Sequence, residues 1–103
     1  ICRAGASTLG EFPLFGLPAI LVPYPYAWRY QKVNADYLAS RGAALILEDG
    51  RMSDELLPTV QVLLADRLRL GNMQKAMRAL AVADAAGQIA RIILDTAETR
   101  IHA

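Results

Sequence analysis

Pro18-Ala19-Ile20-Leu21-Val22-Pro23, residues 18–23, is the stretch that decides the fold. Its four central residues are all apolar, without the alternation of a half-buried strand, and a proline stands on each side. A short apolar run of this kind is typical of a strand buried on both faces, as in parallel sheets. Ala44-Leu45-Ile46-Leu47 repeats the pattern, and Ile1–Arg3 has the character of a strand end. The sequence therefore predicts a parallel sheet with residues 19–22 as a buried strand.

Helical patterns separate these strands. Ser7 or Thr8 is a suitable N-cap for a first helix, which we expect to run to about Phe15 and to stop at Gly16. Residues 30–40 form a second helical pattern before the next strand. The apolar face of this second helix is predicted to carry Tyr30, Val33 and Tyr37.

Three more helices are predicted after the last strand. Ser53 is expected to cap the first, whose apolar stripe extends from Leu57 to Leu68. Gly71-Asn72 is expected to break the chain before a helix whose methionines belong to the core. Asp84 is the expected cap of the last helix. The apolar stripe of that helix consists of Ile89, Ile92 and Ile93.

The alternation of strands and helices predicts an α/β fold, with a parallel sheet, helices on both faces and extra helices at the C-terminal end. We expect residues 1–103 to form one unit without an internal linker. Two strands and the end of a third are few for a self-sufficient sheet of this kind. The first residue is Ile rather than Met. We therefore expect the chain to be a piece of a larger protein.

Composition and charge exclude several functions. The net charge of +1 provides no basic stripe, so we expect no nucleic-acid partner. A single Cys precludes an internal disulfide, and one Cys with one His gives no cluster of metal ligands. The longest charge-free stretch, residues 12–28, holds four of the five prolines, which excludes a membrane-spanning helix there. No nucleophile is paired with a general base.

Small residues follow the first strand end, at the edge of the sheet where ligands bind in open α/β folds. Gly5-Ala6-Ser7-Thr8 leads into a helix whose first N–H groups carry a positive partial charge, which suits sugar hydroxyls or a diphosphate. Glu11 lies one helical turn later, and its two oxygens suit the paired hydroxyls of a ribose. The alternative is an ordinary capped helix with an acidic residue near its start.

Polar and aromatic side chains follow the second strand. Gln31 and Asn34 are three residues apart on one helix face, and their amides can both donate to and accept from sugar hydroxyls. Solvent exposure and capping are the alternative explanation. The nearby aromatic residues either stack on a base or sugar or cover the loop. They are Tyr24, Tyr26, Trp28 and Tyr30.

Four blocks in this order resemble the C-terminal domain of the MurG-type N-acetylglucosaminyltransferases of peptidoglycan synthesis. They are Arg3-Ala4-Gly5-Ala6-Ser7-Thr8 with Glu11, residues 16–23, residues 31–35 and residues 42–44. The resemblance covers essentially the whole chain. It implies a GT-B enzyme of two Rossmann-like domains, of which this chain is an incomplete C-terminal, UDP-N-acetylglucosamine-binding part. Such an enzyme passes the sugar with inversion to lipid I and gives lipid II, without a built-in metal or other cofactor.

The resemblance also implies roles for the residues at the start of the first helix. Glu11 would hold the ribose hydroxyls. The backbone at Ala6 and Ser7 would meet the hydroxyls of N-acetylglucosamine, and Thr8 would lie near the phosphates. Gly5 would permit the close approach of the donor.

Gln31 and Asn34, by the same resemblance, would bond the 3- and 4-hydroxyls of the sugar. Tyr30 departs from the family, which commonly has His or Gln at that position. The phosphate loop, the uracil-binding segment and the acceptor domain have no counterpart here. We therefore expect the chain alone to be inactive, its lipid I acceptor to bind through the missing N-terminal domain, and the parent enzyme to lie on the cytoplasmic face of the plasma membrane.

Two other functions remain open from the sequence. One is the donor-binding subunit of a split UDP-N-acetylglucosamine transferase that acts on a dolichyl-linked sugar. The other is a non-catalytic half-domain that folds and associates without a ligand. An unfinished sheet edge favours self-association under any of these hypotheses.

Overall fold

A parallel sheet forms the centre of the structure, a computed structural model that describes residues 1–26 and 30–102. Strand β1 (Ala19–Leu21) pairs with strand β2 (Ala44–Ile46), with Leu21 opposite Ile46. Cys2 forms a parallel bridge to the other side of Leu21: its N–H donates to Ile20 O over 3.0 Å, and its carbonyl accepts from Val22 N over 2.9 Å. All three residues of β1 are buried, which confirms the prediction of a doubly covered strand.

Helix α1 (Ala6–Phe15) begins earlier than predicted, and the cap assigned to Ser7 or Thr8 is wrong. Gly5 precedes the helix in extended backbone and provides no side-chain cap. Thr8 instead turns inward and donates its hydroxyl to the Gly5 carbonyl over 2.7 Å. The stop at Gly16 is confirmed, since this residue adopts the left-handed conformation with φ 57°.

Helix α2 (Tyr30–Ala39) confirms the second helix, but the predicted apolar face is wrong. Tyr30, Val33 and Tyr37 are exposed, whereas Ala35 and Leu38 are buried. The side that packs on the sheet carries Leu38 and the small Ala35, whose hydropathy gives a weak signal, while Val33 and the two tyrosines lie outside. The large apolar side chains therefore led to the prediction that the outer side of the helix packs on the sheet.

Helices α3 (Met52–Ala65) and α4 (Arg67–Arg78) divide at Asp66, not at Gly71-Asn72, and α3 ends before Leu68. Asp66 Oδ1 accepts from Arg69 N over 3.0 Å, so an N-cap starts a new helix there. Gly71 lies inside α4, where a glycine lowers the stability of the helix by about 1 kcal/mol relative to alanine. Burial of Met73 and Met77, which pack on opposite faces of the sheet, offsets this loss. Ser53 is not a cap, because a 3₁₀ turn (Asp49–Arg51) leads directly into α3.

Helix α5 (Ala85–His102) follows Asp84, whose Oδ1 accepts from Gly87 N over 3.3 Å, so the predicted cap is confirmed. The stripe of isoleucines on this helix is exposed to solvent in the part of the chain that the structure describes.

The core lies on both faces of the sheet, which confirms an α/β fold with flanking helices. Leu21 joins one cluster with Leu38 and Met77, which α1, α2 and the end of α4 cover. Ile20 and Val22 point to the opposite face. The second cluster there also contains Leu47, Leu63 and Met73. Both methionines are core residues, as predicted.

Candidate functional site

The candidate site lies at the carboxyl edge of the sheet, where three loops leave parallel strands on the same side. The first loop joins Cys2 to α1, the second follows β1 through residues 22–26, and the third follows β2 through residues 47–51. The sequence placed its candidate residues in or just after the first two of these loops. The third loop was also expected at this edge, but no candidate residue was assigned to it.

The start of α1 presents small, accessible residues. Ala6 and Ser7 are exposed in the first helical turn, where N–H groups have no partner within the helix. Thr8 is only 3% exposed, and both its hydroxyl and its N–H donate to the Gly5 carbonyl. A Cβ added at Gly5 would meet nothing within 4 Å among the described residues, and its φ of −68° suits any residue. Packing in the chain therefore does not require glycine there, and the space beside it is open.

Glu11 is exposed on the same side of α1 as Ser7, one turn further along. Ser7 and Glu11 line an open groove of about 640 Å³ between α1 and the beginning of α5. The rest of this groove is mostly apolar. It includes Leu9, Leu14, Leu80, Val82, Ile89 and Ile92.

Gln31 and Asn34 are both half-buried, and each is held by a backbone group whose polarity fixes the amide orientation. Tyr24 N, which can only donate, lies 2.8 Å from Gln31 Oε1. The carbonyl of Ala4, which can only accept, lies 3.0 Å from Asn34 Nδ2. These contacts fix which way each amide is turned: the NH₂ group of Gln31 is directed away from Tyr24 N as a donor, and Oδ1 of Asn34 is directed away from the Ala4 carbonyl as an acceptor.

The bond from Asn34 to Ala4 also joins α2 to the loop two residues before the start of α1. This bond places the amide of Asn34 close to the first turn of α1. Gln31 lies in the first turn of the same helix as Asn34 and accepts from Tyr24 N of the loop after β1.

Arg3 was not among the sequence candidates, yet it connects all three loops. Its Nη1 is 2.6 Å from Asp49 Oδ1 and donates to the Val22 carbonyl over 3.2 Å and to that of Pro23 over 3.5 Å. Its guanidinium carbon lies 5.3 Å from the centre of the Tyr24 ring, within cation–π range. The sequence contained one signal for this contact. Arg3 is a cation at the end of an apolar strand, and Asp49 is an acid in the turn after another parallel strand.

The aromatic residues of the second loop lie at the surface. The rings of Tyr24 and Tyr26 meet edge to face, with centroids 5.5 Å apart, and both are exposed. Tyr30 is exposed at the start of α2. Trp28 lies outside the described residues. Whether these rings stack on a ligand stays a prediction.

Within residues 1–26 and 30–102, no three His, Cys, Asp or Glu side chains come together as ligands for a metal ion. None of the helices described there is both long enough and apolar enough to span a bilayer.

The model of the glycosyltransferase family 28 C-terminal domain matches residues 1–89. The chain belongs to this family. The α/β fold with a parallel sheet agrees with a GT-B C-terminal domain, which confirms the fold class expected from the sequence.

Three curated relatives of this family 28 domain share one name, UDP-N-acetylglucosamine–N-acetylmuramyl-(pentapeptide) pyrophosphoryl-undecaprenol N-acetylglucosamine transferase. The protein of Methylococcus capsulatus is 46% identical over 99 residues, which cover 94% of this chain and 28% of the relative. That of Actinobacillus pleuropneumoniae serotype 5b is 44% identical over 99 residues, with 95% and 28% covered. That of Nitratidesulfovibrio vulgaris strain DP4 is 42% identical over 101 residues, with 96% and 28% covered.

The chain thus spans just over a quarter of the length of these relatives. The resemblance to MurG-type transferases is confirmed. No solved structure gives a significant match to the chain. The roles assigned to individual residues of the family 28 domain stay predictions.

Proposed function

We propose that this chain is the UDP-N-acetylglucosamine-binding part of an inverting N-acetylglucosaminyltransferase that converts lipid I to lipid II. The observation that carries the proposal is the fixed, opposite polarity of two amides beside the start of α1. Gln31 offers a donor and Asn34 an acceptor. Neighbouring hydroxyls of a sugar each donate and accept, so the pair suits the 3- and 4-hydroxyls of N-acetylglucosamine.

The nucleotide half of the donor is assigned to α1. We propose that Glu11 accepts hydrogen bonds from the ribose hydroxyls and that the backbone of Ala6 and Ser7 meets the sugar. Thr8 stays the proposed neighbour of the phosphates. Because its hydroxyl already donates to Gly5, its contribution in this proposal is to fix the Gly5 carbonyl and so the shape of the loop. No built-in metal has a part in the proposal.

The remaining steps of the reaction are assigned to the parts of the relatives that this chain does not match. We propose that lipid I binds there, that the chain alone does not catalyse transfer, and that the parent enzyme works on the cytoplasmic face of the plasma membrane. The names of the relatives specify an undecaprenol-linked muramyl acceptor, which favours this function over one with a dolichyl-linked acceptor.

The proposal is tested by titrating the ¹⁵N-labelled chain with UDP-N-acetylglucosamine, UDP-N-acetylgalactosamine and UDP, followed by two-dimensional amide NMR. We expect shifts confined to residues 5–11 and 31–34, and a preference for the gluco sugar over its 4-epimer. A well-dispersed spectrum that none of the three ligands changes would contradict the proposal.

Two isosteric variants probe the polarity of the amides. Gln31→Glu keeps an oxygen for Tyr24 N but replaces the free NH₂ donor, so we expect the sugar preference to fall while the fold is unchanged. Asn34→Asp places an oxygen against the Ala4 carbonyl, so we expect it to lower both stability and binding. Equal behaviour of Gln31→Glu and the wild type towards the three ligands would remove Gln31 from the sugar site.

We also propose that copies of this chain associate through surfaces that the described residues leave uncovered. Ile46 at the outer strand is 40% exposed, and the isoleucine stripe of α5 is exposed along its length. Light scattering across a range of concentrations tests this, with a monomer at all concentrations as the contrary result.

A further inference from the structure

The link from Arg3 through the second loop leads directly to a proposed sugar contact. Arg3 donates to the carbonyls of Val22 and Pro23 and lies against the ring of the next residue, Tyr24. The N–H of Tyr24 in turn donates to Gln31 Oε1. A change in the position of Arg3 is therefore transmitted to the amide of Gln31 through the Pro23–Tyr24 backbone.

Asp49 holds the other end of this link. Its carboxylate pairs with Arg3 Nη1 from the loop after β2, so the guanidinium is held between two loops rather than extending into solvent. Both partners are partly exposed, and ion pairs of this kind add little to stability. Their effect is geometric, because the carboxylate holds Nη1 of Arg3, and this same nitrogen donates to the carbonyls of Val22 and Pro23.

Gln31 needs such support because its amide could otherwise rotate. The donor that it presents to a ligand exists only while Oε1 is held by Tyr24 N. If the Tyr24 N–H turns away, the amide can present either its oxygen or its nitrogen, and its preference for one hydroxyl arrangement is lost.

We propose that Arg3, held by Asp49, is a positioning residue that orients Gln31 and thereby sets selectivity for the sugar of the donor. This inference rests on the proposed function for its ligand, but not for its geometry. Arg3 contacts the backbone of the second loop and acts on the sugar only through Gln31.

The first test needs no ligand. Hydrogen exchange of the Tyr24 amide is measured by NMR in the wild type and in the variants Arg3→Ala and Asp49→Ala. We expect protection in the wild type and faster exchange in both variants. Arg51→Ala is the matched control, because Arg51 is an exposed arginine of the same loop that pairs with Glu48 and Glu55 instead. Protection that survives Arg3→Ala would overturn the inference, whether or not any nucleotide binds.

The second test measures binding of UDP-N-acetylglucosamine and UDP to the same variants. Loss of one sugar hydrogen bond predicts about a three- to tenfold weaker affinity for the sugar nucleotide in Arg3→Ala, with UDP within about twofold of the wild type. A merely structural role would weaken both ligands equally. The control Arg51→Ala should match the wild type for both.

A double-mutant cycle completes the design. If Arg3 acts through Gln31, Arg3→Ala has no further effect on the sugar preference once Gln31→Ala is present. Additive effects of the two substitutions would overturn the inference. A wild-type chain that binds UDP-N-acetylglucosamine no better than UDP would instead count against the proposed sugar site, while the exchange measurement still decides the role of Arg3.

Discussion

The carboxyl edge of the sheet and the outer surface of α5 differ in the contacts that their side chains make within the chain. At the edge, polar groups of three loops meet one another: Arg3 with Asp49, Tyr24 N with Gln31, and Asn34 with Ala4. Along α5, by contrast, the isoleucines and Leu94 remain exposed among the described residues. The edge is thus shaped by the chain itself.

This difference indicates which side chains already have a fixed geometry in the absence of a ligand. Amides held by backbone groups keep their polarity before a ligand arrives, which lowers the ordering cost of binding. Among the described residues, the apolar surface of α5 has no such internal partner. Whether this surface is covered therefore depends on its surroundings. Substitutions in the core that supports the edge, at the candidate site and on α5 test this contrast.

Leu21→Ala has the largest expected effect. Leu21 is fully buried in the middle strand, and removing its side chain leaves a cavity between the sheet and α2. We expect the free energy of unfolding to fall by about 2–5 kcal/mol. Denaturant unfolding measures this, and Leu94→Ala on the exposed side of α5 is the matched control, expected to change little.

The positions of the two strands were predictable because each is an uninterrupted apolar run between turn residues. The prediction that β2 is buried like β1 was wrong, because β2 is the outer strand of the described sheet and its Ile46 is 40% exposed. The inner face of α2 was not predictable, because Ala35 packs against the sheet where small size matters more than hydropathy. The junction at Asp66 was missed for a related reason. A capping hydrogen bond there determined the helix start, while Gly71 was tolerated inside a helix anchored by buried side chains.

Glu11→Ala follows in size and concerns binding rather than folding. We expect a loss of about 1–3 kcal/mol in the free energy of donor binding, because the ribose hydroxyls would lose their acceptor. Calorimetry with UDP-N-acetylglucosamine measures the loss. Glu55→Ala, an exposed acid in the first turn of α3, serves as the control. Unchanged affinity in Glu11→Ala would remove this residue from the site.

Gly16→Ala tests the end of α1 that lies away from the proposed ligand. A Cβ at this left-handed position would come within 2.5 Å of the Arg78 side chain, and the conformation itself disfavours alanine. We expect unfolding to become easier by about 1–2 kcal/mol. Gly10→Ala is the control, because it lies in open space within the helix and should stabilise it by about 0.5–1 kcal/mol. Equal effects of the two substitutions would contradict the assigned backbone strain.

The site was predictable in its residue types but not in its connections. The small residues at the start of α1 and the amides of α2 are visible as local patterns. Arg3 and Asp49 lie far apart in the sequence and meet only because parallel strands end at one edge. The polarity of Gln31 and Asn34 likewise depends on backbone groups from other loops, which no spacing rule supplies.

Ile92→Ala has the smallest expected effect on the isolated chain and tests α5 most directly. Ile92 is 66% exposed, so its truncation should change the free energy of unfolding by less than about 0.5 kcal/mol at low protein concentration. If copies associate through this surface, the loss should grow with protein concentration, because a covered isoleucine contributes to stability and an exposed one does not. Denaturant unfolding at two concentrations separates these cases. A large loss that is independent of concentration would mean that α5 packs within its own chain, and the contrast with the sheet edge would then no longer hold.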